Sequence, residues 1–158
     1  MKKRTLFLSG SIATTLIAAA TTATGVLMTN RLMYIKKKDD AFILEREVSS
    51  KRFDEAWYEG CPKEVLTIDS PNGYMIRGVY LKPLETKNTV IICHGVTENK
   101  INSMRYARMF ERLGFNSVVY DHRRHGESEG KTTSYGHYEK FDLQAVVTKV
   151  HEQIGEDA

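Results

Sequence analysis

Cysteine is scarce in this chain. Cys61 and Cys93 are the only two in 158 residues, too few for a disulfide framework and without the ligand spacing of a zinc site. One pairing between them stays open on sequence, so the redox compartment is not fixed. Cys93 closes an apolar stretch, where a thiol most often acts as a small hydrophobe. Internal repeats are lacking, and outside the N-terminus there is no low-complexity segment, so the length predicts about one domain. No acidic residue precedes Asp39, and from Thr5 to Asn30 there is no charge of either sign.

That uncharged run is long enough, at ~1.5 Å of helix rise per residue, to span the ~30 Å of bilayer hydrocarbon. It predicts a transmembrane helix. The formal charge of +3 sits around it: Lys2, Lys3, Arg4, Arg31, Lys36, Lys37 and Lys38 are seven of the 23 basic residues, leaving 16 against all 20 acidic ones, a balance of −4 from Asp39 onward. Such flanks suit lipid headgroups, so membrane lipid is the expected partner of the N-terminal helix and a nucleic-acid role loses its main support. Ala18-Ala19-Ala20 satisfies a signal-peptide cleavage rule, but the apolar character continues through Val26-Leu27-Met28, which favours an uncleaved anchor. Lys36-Lys37-Lys38 competes with Lys2-Lys3-Arg4 under the positive-inside rule. A short N-terminal tail left inside would make this a single-pass membrane protein with its domain extracytoplasmic.

The expected organisation is an anchor with basic flanks over 1–38, a charged linker or amphipathic helix over 39–62, and a domain over 63–158. In the middle segment Phe53 and Trp57 lie one helical turn apart, and Gly60-Cys61-Pro62 ends it because proline cannot continue a helix. A solvated linker with an aromatic latch reads equally well there. Lys63 to Asp69 and Tyr74 to Lys82 alternate as strands, and Ser70-Pro71-Asn72-Gly73 between them has the turn chemistry of an antiparallel hairpin. Thr89 to Cys93 and Ser117 to Asp121 are short apolar runs joined by a helical pattern, the signature of a parallel βαβ unit. Asn102 or Ser103 is the expected cap of that crossover helix, with Tyr106, Met109, Phe110 and Leu113 on its buried face and Gly114 past its end. A last helix from about Tyr138 has Leu143, Val146, Val147, Val150 and Ile154 as its buried stripe, Glu139 and Asp142 in its first turn, and Gly155 as its stop.

His94-Gly95 follows the first parallel strand, where an open α/β sheet places its ligands. Glycine there would let the backbone turn without a Cβ clash and free the amide of Val96 to point into the crevice. From these two residues alone a plain strand-to-helix turn is the better reading. The wider pattern from Thr89, TVIICHGVTENK, then a helix ending RLGFN, then SVVYDHRRHGESEG, resembles the first half of an α/β-hydrolase. It is most similar to bacterial membrane-anchored, lysophospholipase-like and serine-aminopeptidase-like members, from about Lys63 onward. The resemblance implies that Val96 N–H forms half of an oxyanion hole, that His94 and Gly95 shape its loop, and that Asp121, Arg123 and Gly126 form a structural turn. The family pattern usually has glycine where Arg124 stands.

Gly126-Glu127-Ser128-Glu129-Gly130 spells the nucleophile-elbow motif, but that motif works only between a strand and a helix that follow without a gap. Five residues separate Asp121 from Gly126, 131–136 reads as loop, and two glutamates would oppose an oxyanion, so Ser128 is not expected to be the nucleophile. Asp121, His122 and His125 could be taken as metal ligands, but no third protein ligand is identifiable beyond them and hydrogen bonds to Arg123 explain the cluster as well. No cofactor is expected. In the family's chain order the nucleophile, acid and histidine come later. The implied protein is a serine hydrolase acting on a small-molecule or peptide ester, thioester or amide through an acyl-enzyme, of which this chain is an N-terminal portion inactive alone. The alternative is a non-catalytic, membrane-tethered α/β binding module.

Overall fold

A computed structural model of the chain describes residues 2–156, with side chains described from 13 to 155. The chain divides into two units, Met1–Ile35 and Lys36–Ala158. The first holds one long helix, α1 (Lys2–Met33).

The expected transmembrane anchor is overturned. Among the described residues, no helix is long and apolar enough to cross a membrane. The sequence reading counted missing charges, but Thr14, Thr15, Thr21, Thr22, Thr24 and Thr29 are spread along the helix, and alanine fills much of what remains. A run without charge is not thereby a hydrophobic run, since hydroxyls add to the cost of transfer. Thr21 and Thr22 donate to the carbonyls of Ile17 (2.8 Å) and Ala18 (2.9 Å), which satisfies the hydroxyls without making the surface apolar. The single-pass localisation and the extracytoplasmic placement fall with the span. The side chains of Lys2, Lys3 and Arg4, on which orientation rested, lie outside those described.

In the second unit, charge and capping residues split the expected amphipathic helix in two. Helix α2 (Asp40–Ser49) starts at Asp39, whose carboxylate accepts from Ala41 N (2.9 Å), and α3 (Glu55–Gly60) starts at Asp54, which accepts from Trp57 N (3.0 Å). Phe53 falls between them, and it packs with Trp57 against one apolar cluster.

The sheet has four strands: β1 (Lys63–Ser70), β2 (Tyr74–Leu81), β3 (Thr89–Cys93) and β4 (Asn116–Tyr120), in the order β1-β2-β4-β3. The hairpin forms as its turn chemistry predicts. Gly73 has φ +79°, Gly73 N–H donates to Ser70 O (3.0 Å), and β1 pairs antiparallel with β2 from Lys63 opposite Leu81 to Ser70 opposite Tyr74. Strands β3 and β4 are parallel, with Cys93 opposite Tyr120, and β2 joins β4 antiparallel. Every residue of β4 is buried, as a strand covered on both faces requires.

Side chains alternating along β4 feed two cores. Val118 and Tyr120 join Leu66, Ile76, Val146 and Val150 under the last helix, α5 (Glu139–Glu156); Val119 joins Val79, Ile92, Met104 and Ala107 under the crossover helix, α4 (Lys100–Glu111). Three details differ from expectation. The cap of α4 is Asn99, not Asn102 or Ser103, because Asn99 Oδ1 accepts from Ile101 N (3.0 Å) and Lys100 N–H is drawn to Asp121 Oδ1 (2.7 Å). The buried face of α4 is Ser103, Met104 and Ala107, so small residues let it approach the sheet, while Tyr106, Met109 and Leu113 are exposed. On α5, Val147 is exposed and the helix runs on through Gly155 to Glu156.

Candidate active site

Because β3 and β4 are parallel neighbours, the loops that leave them, 94–99 and 121–130, emerge side by side. Imidazoles knit them together. His122 N–H donates to His94 Nε2 (2.9 Å), while His94 Nδ1 donates to Gly95 O (2.7 Å). Thr97 N–H donates to His125 Nε2 (3.1 Å), and His125 Nδ1 donates to Arg123 O (3.0 Å). Each of these two rings accepts at Nε2 and donates at Nδ1, which is the neutral tautomer. Burial, with the His122 ring 4.5 Å away, holds the His94 imidazole down at about 3, so it is neutral at pH 7. Burial and His125 also lower His122. His94 is therefore a neutral clamp between two loops, not an acid or a base at neutral pH.

His94, Gly95, Val96, His122, Tyr135 and Glu139 line one cleft of about 250 Å³ with three further residues. The loop after β3 is strained where it borders this cleft. Thr97 adopts φ +66°, which for a β-branched residue costs about 1–3 kcal/mol. The sequence reading assigned the turn to Gly95, and this is corrected. Gly95 has no positive φ, and a Cβ there would meet nothing within 4 Å, so glycine leaves the cleft open instead of relieving the chain. Thr97 N–H goes to His125 and Glu98 N–H to Gly95 O (3.1 Å), but Val96 N–H has no acceptor among the described residues. Val96 is itself exposed at the cleft.

The loop after β4 spends its polar groups on itself and its neighbours. Asp121 is fully buried, and its carboxylate accepts from Lys100 N (2.7 Å), Lys100 Nζ (2.7 Å) and Glu127 N (3.0 Å). Gly126 has φ +46°, and a Cβ on it would sit 2.3 Å from Asp121 Oδ2, so only glycine fits beneath that carboxylate. Arg124 has φ +63°, the backbone that explains glycine in the family pattern, and its Nη1 donates to Lys131 O (2.7 Å). Arg123 does not bond the loop as expected. Its guanidinium stacks on Tyr138 (4.3 Å) and Tyr74 (4.9 Å), leaving Nε and Nη1 buried without partners.

Ser128 is buried and doubly engaged. Its hydroxyl donates to Asp121 O (2.7 Å) and accepts from Arg77 N (2.8 Å), extending the sheet beyond the end of β2's pairing with β4. A hydroxyl so committed has no base beside it. The metal reading also finds no support, since Asp121 turns to Lys100 and Gly126; among the described residues no three His, Cys, Asp or Glu side chains are arranged to hold an ion. Both thiols are free, Cys61 buried and Cys93 exposed.

Sequence reasoning missed Glu98 and the loop before α5. Glu98 pairs with Lys38 and Arg46, some fifty to sixty residues earlier, and nothing local signals that. Glu139 was read as a dipole residue, yet it accepts from Ser134 N (2.7 Å), from Ser134 Oγ (2.5 Å) and from Gly136 N (2.8 Å) and so pins the segment carrying Tyr135. Ser134 with an acid five residues on was the available signal.

Residues 84–157 match the family model described as serine aminopeptidase, S33. The Pyrococcus furiosus esterase Pf2001 is similar in structure. In two crystal forms it gives TM-scores of 0.54 and 0.52 at 28% and 26% identity, over 59% of this chain and 38% and 36% of that one. Over that span the chain shares the α/β fold of this esterase. A Bacillus subtilis (strain 168) protein, uncharacterized protein YqkD, is 44% identical over 146 residues, 92% of this chain and 46% of that protein. The chain thus spans less than half the length of this relative.

Proposed function

We propose that this chain supplies the scaffold and one oxyanion donor of a serine hydrolase that cleaves an ester, thioester or amide through an acyl-enzyme. The observation that carries the reading is the unspent Val96 N–H at the cleft, on a strained loop whose next two amides, those of Thr97 and Glu98, are occupied. A carbonyl oxygen in that cleft would gain negative charge as a nucleophile added to its carbon. A donor already held in place would stabilise that charge without reorganising, an effect of ~3 kcal/mol per donor in comparable sites. The apolar walls favour this, and among the described residues lining the cleft the one carboxylate is Glu139, itself hydrogen-bonded.

The attacking group, its base and its acid are not assembled among the described residues. In a protein of the relative's length they would come from the portion that this chain does not cover, and the substrate, small-molecule or peptide, would be selected there too. The match to the S33 serine aminopeptidase model and the likeness to an esterase support hydrolysis as the reaction class. A fluorophosphonate probe followed by peptide mass spectrometry tests the assignment. The 158-residue chain should remain unlabelled, and the longest reading frame containing it should be labelled at one serine outside residues 1–158. A label on Ser128 overturns the reading. No label on either protein favours the alternative of a binding module.

A further inference from the structure

Three successive residues of the cleft loop are tied to the segment that precedes the sheet. The carbonyl of Thr97 accepts from Lys38 N (3.4 Å). The carboxylate of Glu98, 15% exposed, receives Lys38 Nζ on one oxygen and a fork from Arg46, Nη1 to Oε1 (3.2 Å) and Nη2 to Oε2 (2.5 Å). Asn99, the α4 cap, donates its amide to Asp40 Oδ1 (2.9 Å). Arg46 is held in turn by Glu47, whose buried carboxylate also accepts from Arg52 and Asn102. Burial alone would raise that carboxylate, but hydrogen bonds from Arg52, Arg46 and Asn102 overcome it and leave Glu47 at about 2.

A bidentate arginine fork fixes direction as well as distance, which a single lysine contact would not. The loop needs such external fixing, because a threonine in the left-handed region is not held there by local preference. Residues 38–46 also lie outside the stretch that the family model matches, 84–157.

We propose that Arg46, acting through Glu98, is a positioning residue: α2 braces the loop after β3 and so sets the aim of the Val96 N–H. The functional meaning rests on the oxyanion reading above, but the brace itself can be read without turnover. The experiment is nitrogen-15 NMR on the full 158-residue chain as wild type, Arg46→Met, Glu98→Leu and Arg46→Lys. In Arg46→Met and Glu98→Leu, hydrogen-exchange protection of the Thr97 amide should fall by about tenfold or more, as expected for local release without global unfolding. The His125 Nε2 resonance should move as it loses the Thr97 donor, and the Val96 amide should shift with it. Amides of Val118 and Val119 in β4 should keep their protection within about twofold. Arg46→Lys should recover part of the Thr97 protection, as a conservative change does when position and not mere folding is at stake. The proposal is overturned if Thr97 and His125 are unchanged in both disruptive variants. It is equally overturned if Thr97 loses no more protection than Val118 and Val119. A failure of the oxyanion assignment would appear instead in the kinetics of Val96→Pro, leaving these spectra as stated.

Discussion

The two loops at the ends of β3 and β4 have similar surroundings and opposite economies. The loop over 121–130 is engaged within itself and with its neighbours: Asp121 holds Glu127 N and Lys100, Ser128 joins Asp121 O to Arg77 N, and Gly126 fits beneath the carboxylate. The loop over 94–99 is held from outside, by His125 on one element and by Lys38 and Arg46 on another, and leaves the Val96 amide unspent at the cleft. The lesson is that polar residues clustered in sequence need not be the chemical ones. The motif-rich loop builds structure, and the plainer one offers a donor.

Breaking the loop over 121–130 should have the largest effect. Asp121→Ala leaves the Lys100 ammonium, which burial would lower but its Asp121 and Glu127 partners raise, with Glu127 alone, and it leaves two backbone donors unmatched. Removing one partner of a buried ion pair costs about 3–5 kcal/mol, so urea denaturation should show a loss of that order. The β3 side is next, and it responds to pH. His94 sits at about 3 when folded against an ordinary 6.5, so the unfolded chain binds the proton more readily between these values. Stability from this group is full above about 6.5 and is lost as pH falls toward 3, with ~2 kcal/mol gone between pH 7 and pH 5. Denaturation at the two pH values checks the slope, which should flatten in His94→Gln. Ser128→Ala should cost ~1–3 kcal/mol, since Arg77 N–H loses its acceptor and Asp121 O its donor. Smallest is Arg124→Gly, which relieves a positive φ but gives up the bond to Lys131 O; denaturation should show a change of under about 1 kcal/mol, in the stabilising direction.

Where the sequence was legible, the signal was local. The apolar runs Thr89–Cys93 and Ser117–Asp121 announced the parallel strands, the second ending one residue past the observed β4, and Ser70-Pro71-Asn72-Gly73 announced the hairpin, because each pattern carries its own stereochemistry. The face of α4 was misread because Asn102 bonds Glu47 and Arg108 pairs with Asp54, both of distant segments, which frees that side from being apolar. The start of α4 was misplaced for a similar reason, the pull of Asp121 on Lys100. Charge counting failed on α1 because threonine is uncharged without being apolar. At the cleft, the position of Val96 came from the family pattern, while the clamp by His94 and the strain at Thr97 needed the loops set beside each other.

The contrast between the loops is tested most directly by ester turnover in the longest protein containing this chain, comparing Val96→Pro with Ser128→Ala at a temperature where both are folded. Proline removes the N–H in question, so kcat should fall by about 100-fold with KM little changed, the signature of a contact made in the transition state. Ser128→Ala should lose stability without a comparable loss of kcat. A collapse of kcat in Ser128→Ala, with Val96→Pro turning over at the wild-type rate, would contradict the account.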